Sequence, residues 1–126
     1  MIVLCIDDDP DDTDFFCEAL KTASPESQCL VANDGLTALK MLRSDSQPDI
    51  IFLDINMPGM NGWEFLDEYN KLDKQLQSRA VVVMLTTSDN PDDKTKAMAL
   101  NVASDFKTKP LTGQMLREII STYLKD

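Results

Sequence analysis

The sequence predicts an α/β domain in which helices cover both faces of a five-stranded parallel sheet. Two observations predict it. Apolar runs alternate with helical patterns five times along the 126 residues, and repeated β-α units with short links build parallel sheets wrapped by helices. Three of those runs are also nearly continuous hydrophobics without alternation, as in strands buried on both faces.

The elements follow in order. "IVLCI" (2–6) reads as the first strand. Pro10 suits the first turn of the helix behind it, with Asp9 as cap and Asp11 and Asp12 at the positive end of the helix dipole. Phe15, Phe16, Ala19 and Leu20 form that helix's apolar stripe. "CLVAN" (29–33) is the second strand, and after the turn "NDG" (33–35) the second helix carries Leu36, Leu39, Met41 and Leu42. "DIIFL" (49–53) is the third strand, followed by the turn "MPGMNG" (57–62) and a helix with Trp63, Phe65, Leu66 and Tyr69. "AVVVML" (80–85) is the fourth strand. Asn90-Pro91-Asp92-Asp93 then repeats the Pro-and-acid start before a fourth helix with Ala97, Met98 and Leu100. "DFKT" (105–108) is the short fifth strand, and the fifth helix carries Met115, Leu116, Ile119, Ile120, Tyr123 and Leu124. No linker, repeat or low-complexity tract interrupts the pattern, so residues 1–126 read as one domain.

Composition narrows the function. The formal charge is −10, from 12 basic and 22 acidic residues, which argues against nucleic-acid binding, since phosphate contacts supply most of its non-specific affinity. Histidine is absent. That removes Ser-His and Cys-His catalysis, His-ligated zinc and the usual general base. No apolar run approaches the ~20 residues of a membrane span, and the N-terminus lacks the basic region of a signal peptide. Cys5, Cys17 and Cys29 are an odd number without CxxC spacing, which predicts reduced thiols, packed as small hydrophobes in a cytoplasmic protein.

In open parallel sheets, ligands bind beyond the carboxyl ends of the strands, where the strand order reverses. In the doubly wound order 2-1-3-4-5, the flavodoxin-like arrangement, strands one and three meet at that point. Strand one ends in Asp7-Asp8, strand three in Asp54, strand four in Thr86-Thr87 and strand five in Lys109-Pro110. Strand two ends in Asn33-Asp34, at an edge away from the site. Clustered carboxylates cannot all stay ionised without compensation. A hard cation such as Mg²⁺ resolves this, using a few carboxylate oxygens, water and a phosphate. One carboxylate can then act as nucleophile and form an aspartyl phosphate. Lys109, the Thr86 hydroxyl and backbone N–H groups are left to hold the phosphoryl oxygens.

Four pieces carry a resemblance: "IDDD" after strand one, "FLDINMPGMNG" around Asp54, "MLTTS" after strand four and "KTKPL" after strand five. In this order, each at a strand end, they resemble the receiver domain of the two-component response-regulator family over the whole chain. The resemblance is to a receiver of the single-domain, chemotaxis-regulator-like type. The resemblance implies that Asp7 and Asp8 organise Mg²⁺, that Asp54 is the phosphoacceptor and a metal ligand, and that Asn56 ligates the metal through its backbone carbonyl. Thr86 then matches the switch hydroxyl, Lys109 the phosphoryl-pairing lysine, with a cis bond to Pro110, and Phe106 the aromatic switch residue. Asn56 and Ser88 match positions bordering the route of hydrolytic water. Thr87 departs from the pattern, because a small residue usually stands there. The implied partners are a sensor histidine kinase or His-containing phosphotransfer domain as donor and a downstream protein as target. The target would meet the surface of the fourth helix, fifth strand and fifth helix. A homodimer is left open. Such a protein is a regulatory phosphoacceptor and not an enzyme acting on other substrates.

Two rivals use the same acids. Asp7, Asp9, Asp11 and Glu18 fall at calcium-loop positions 1, 3, 5 and 12, but Asp12 stands where the EF-hand turn demands Gly. A phosphohydrolase of the haloacid-dehalogenase type would use Asp7 and Asp9 as its "DxD". The chain lacks the Gly-Thr that follows that motif and acidic ligands after the lysine strand, and Asp54 stands before the threonine.

Overall fold

The computed structural model describes residues 1–44, 48–71, 81–86, 95, 105–109 and 111–123. Within them lie five strands: β1 (Ile2–Ile6), β2 (Gln28–Ala32), β3 (Ile50–Asp54), β4 (Val81–Thr86) and β5 (Asp105–Thr108). All neighbouring pairs are parallel, in the order β2-β1-β3-β4-β5. This is the doubly wound order expected from the sequence. The helices are α1 (Pro10–Ala23), α2 (Gly35–Arg43), α3 (Gly62–Asn70) and α4 (Gly113–Tyr123), the last being the fifth helix of the sequence reading. The predicted fourth helix, with Asn90-Pro91-Asp92-Asp93 and Ala97, Met98 and Leu100, lies outside the described residues, as do Thr87, Ser88, Pro110 and Leu124.

Period-two alternation splits the sheet between two cores. Leu4, Ile6, Ile51, Leu53, Val82 and Met84 face one side and pack with Leu39, Leu42, Phe65 and Leu66 of α2 and α3. Val3, Cys5, Ile50, Phe52, Val83 and Leu85 face the other side and pack with Phe16 and Leu20 of α1 and Leu116 and Ile119 of α4. The Phe16 and Phe52 rings meet at 4.9 Å, tilted by 56°. β3 is buried at every position and so forms the centre of the molecule.

Each helix start uses the device its sequence offers. Asp9 caps α1 by accepting from the Asp11 N–H, and Pro10 opens the first turn. Asp34 caps α2 through the Thr37 N–H, which helps hold its carboxyl below the usual range. Asn61 and Glu64 form a reciprocal capping box at α3.

The cysteines depart from expectation. Cys5 is a free buried thiol, as predicted. Cys17 and Cys29 are joined as a disulfide, with Cα atoms 6.1 Å apart. The reason is topological: α1 runs back over β2 as well as β1 and sets Cys17 above the β2 start.

Candidate functional site

Strand register alone brings the acids together. Ile6 of β1 pairs with Leu53 of β3, so the next residues, Asp7 and Asp54, leave adjacent strands side by side. Alternation points both toward the α1 face, on the same side as Cys5 and Phe52. Asp7 is 2 % exposed and Asp54 4 %. Asp8, the next residue, turns out to solvent, yet an oxygen from each of Asp7, Asp8 and Asp54 lies within 4.8 Å of the others.

Lys109 answers this charge. Its Nζ donates to Asp7 Oδ2 at 2.6 Å and to Asp12 Oδ2 at 2.9 Å, and it stands 3.4 Å from Asp54 Oδ2. The backbone fixes where the lysine leaves the sheet: Thr86 pairs with Thr108, and the Lys109 N–H donates to the Thr86 carbonyl at 2.7 Å. Burial pulls the lysine pKa down, but the hydrogen bonds to Asp7 and Asp12 and the charge of Asp54 outweigh it and raise it overall. Asp54 has the opposite balance. Burial pushes its carboxyl up to about 6, helped by Asp7, while Lys109 and the Asn56 N–H, 3.2 Å from Oδ1, pull against the rise.

The loop after β3 holds Asp54 from below. Gly59 has φ 75°, a left-handed turn that favours glycine. Gly62 passes so close that an added Cβ would lie 2.8 Å from the Asp54 carbonyl oxygen and 2.8 Å from the Ile55 Cα. Its N–H donates to the Ile55 carbonyl at 2.9 Å. A side chain there would push the loop off the strand end.

The predicted site residues therefore fall into three groups. Asp7, Asp8, Asp54 and Lys109 converge, and Asn56 stands beside them with its N–H on Asp54. Thr86 ends β4 fully buried and shares the face of Met84 by alternation. Phe106 pairs with Met84 and is half-buried on that same face, so the two predicted switch residues share one side of the sheet. Asp12 went unrecognised, being read only as a solvated helix-start residue. Its signal was weak, since the Asp12–Lys109 contact spans 97 residues of chain. Asn33, placed by the sequence away from the site, donates from Nδ2 to the Asp7 carbonyl at 3.4 Å. Asp9, which both rivals need as a ligand or catalyst, spends its carboxylate on the α1 cap.

Three carboxylate oxygens within 4.8 Å, beside one ammonium, suit a hard divalent cation by their donor chemistry. The fold and the site together define a class: doubly wound domains with an acidic site at the carboxyl edge of the sheet. Residues 3–121 match the model of the response regulator receiver domain, and the chain belongs to that family. It is 34% identical over 107 residues to response regulator Rcp1 of Synechocystis, covering 80% of this chain and 71% of that protein. It is 34% identical over 128 residues to sensor histidine kinase CheAY of Helicobacter pylori, covering 98% of this chain but 15% of the kinase. A response regulator receiver protein of Dyadobacter fermentans superimposes with TM-score 0.89 at 26% identity, covering 100% of this chain and 99% of that one. The Mn²⁺-bound form of Rcp1 superimposes with TM-score 0.78 at 29% identity, covering 98% and 94%. No described helix is long and apolar enough to cross a membrane.

Proposed function

We propose that the chain is the phosphoacceptor of a two-component system, and that Asp54 receives the phosphoryl group. One observation carries the reading: Asp54 stands beside Asp7 at the sheet edge with the Lys109 ammonium 3.4 Å from its oxygen. Around neutral pH, a carboxyl with a pKa of about 6 is mostly ionised and therefore nucleophilic. Its oxygen attacks phosphorus as the bond to the donor's imidazole nitrogen breaks, and the freed imidazole keeps that electron pair. In this reading Lys109 balances charge on a second phosphoryl oxygen, and Thr86 turns its hydroxyl from the opposite face of the sheet toward a third. Asp7, Asp8, Asp54 and the Asn56 carbonyl would hold Mg²⁺, which when bound supplies charge neutralisation to the phosphoryl oxygens. Response regulator Rcp1 has been solved in a Mn²⁺-bound form, which supports a divalent ion of this kind.

The donor in this reading is a phosphohistidine on a sensor kinase or phosphotransfer domain, supported by the likeness to a stretch of a sensor histidine kinase. The output is a change at the surface of the predicted fourth helix, β5 and α4, met by a downstream protein in the cytoplasm. Thr86 and Phe106 would carry the change, since they share one face and a close-packed interior fills any volume the threonine vacates.

Acetyl phosphate with Mg²⁺ is expected to add one phosphoryl group, read by intact mass, and Asp54→Asn to abolish it. Full labelling of Asp54→Asn would refute the assignment. Asp8→Asn is expected to remove most of the thermal stabilisation by Mg²⁺, about 1.4 kcal/mol at tenfold over the dissociation constant.

A further inference from the structure

The path of α1 over β2 creates a second reactive group, away from the acids. Cys17 and Cys29 are separated by 12 residues and joined across α1 and β2, and their Cα separation of 6.1 Å fits a disulfide without backbone movement. Both are half-buried, so small reagents can reach them. Cys5 differs, because it is buried in the core between the sheet and α1. A thiol packed away from solvent is out of reach of small disulfides. The molecule thus holds one reactive pair and one inert cysteine.

We propose that Cys17 and Cys29 form a reversible dithiol–disulfide site, closed by low-molecular-weight disulfides and opened by thiols, that clamps α1 onto β2. One cysteine thiolate attacks a sulfur of the small disulfide and releases a thiolate, which takes up a proton. The second cysteine thiolate attacks the protein-side sulfur of the mixed disulfide and releases the other. Two protein thiols lose two electrons and two protons, and one small disulfide gains them. The clamp also bears on the acidic site. α1 carries Asp12, which holds Lys109 at 2.9 Å, and Phe16, next to Cys17, which anchors the helix on Phe52. This consequence rests on the proposed role of Lys109, which must loosen its hold on Asp12 to meet a phosphoryl oxygen. The oxidised protein therefore accepts the group more slowly, about two- to fivefold, the scale of one partly exposed ion pair.

The full chain is equilibrated in glutathione buffers from fully reduced to fully oxidised, quenched in acid, unfolded, alkylated with N-ethylmaleimide and weighed intact. Two alkylation sites are expected to vanish together while Cys5 stays alkylated. The thermal midpoint of the oxidised form is expected to rise by about 5–10 °C. Cys5→Ala keeps the transition, and Cys17→Ser and Cys29→Ser each abolish it. Three alkylation sites across the whole buffer range, or a disulfide that includes Cys5, overturns the site. Labelling by acetyl phosphate in both redox forms separates this from the functional reading. Equal rates overturn the coupling to Lys109. Absence of labelling in both forms overturns the phosphoacceptor role, while the mass data decide the redox site.

Discussion

Five aspartates occupy six consecutive positions, 7 to 12, and the fold divides them into two populations. Asp7, at the strand end, is buried and bonded to Lys109 at 2.6 Å. Asp9 and Asp11, at the start of α1, are exposed, and the Asp9 carboxylate meets the Asp11 N–H. The same side chain thus costs folding energy at one place and supports a helix two residues later. The difference is burial and the company kept. A buried carboxylate needs a cation, whereas an exposed one at a helix N-terminus needs only a backbone N–H. Asp12 joins the two populations, since it lies in the first turn of α1 and also accepts from Lys109.

The sharpest way to break this comparison is to remove the cation from the buried side. Lys109→Met leaves Asp7 and Asp54 facing each other with no counter-charge. Breaking a buried pair by removing one partner typically costs about 3–5 kcal/mol. The lower part of that range is expected here, because the pair opens to solvent at Asp8 and Asp12. Urea unfolding in a chelator measures it. Excess Mg²⁺ is expected to recover part of the loss, and a loss unaffected by Mg²⁺ would mean that the lysine acts by packing alone.

The second test concerns Asp54. Its folded pKa of about 6 stands above the 3.8 of an ordinary aspartate, so between those values the folded protein binds more protons than the unfolded chain. Stability of the metal-free protein then falls as pH rises from about 4 to 6 and is flat in this contribution above that range. A rise of that size corresponds to an upper bound of about 3 kcal/mol. Asp54→Asn is expected to remove that slope and to stabilise the metal-free protein near neutral pH by about 1–3 kcal/mol. Parallel denaturation profiles for the two proteins from pH 4 to 8 would show that Asp54 carries no such penalty.

How legible this was in the sequence depended on whether the cause was local. Continuous apolar runs announced β1, β3 and β4, and their ends announced Asp7, Asp54 and Thr86 as neighbours, because a parallel sheet aligns strand ends. Boundaries moved slightly: Asp54 and Thr86 close their strands instead of following them, and β2 begins at Gln28. Asp9 as cap needed only its own neighbours. Asp12 on Lys109 and Cys17 on Cys29 were not legible. Each depends on the path of α1 across the sheet, and neither chain spacing nor residue type encodes that path. Asn33 was misplaced for a similar reason. An edge strand lies beside β1, so its last side chain reaches the Asp7 carbonyl.

The smallest expected effect belongs to the exposed population and tests whether the division is real. Asp9→Ala removes the α1 cap, a change that costs about 1 kcal/mol at typical N-caps. Pro10 at the first helical position has no N–H to strand, so the loss falls mainly on the Asp11 N–H, which turns to water. The urea midpoint is therefore expected to drop with no change in slope. Mg²⁺ affinity, followed by titration of the thermal midpoint, is expected to stay within about twofold, because screening leaves an exposed charge beyond the metal's own ligands little influence. Asp8→Asn inverts both results, with little effect on the metal-free protein and a large loss of Mg²⁺ response. If Asp9→Ala instead lowers Mg²⁺ affinity as strongly as Asp8→Asn, the aspartates act as one cation site, and the line drawn between Asp8 and Asp9 is wrong.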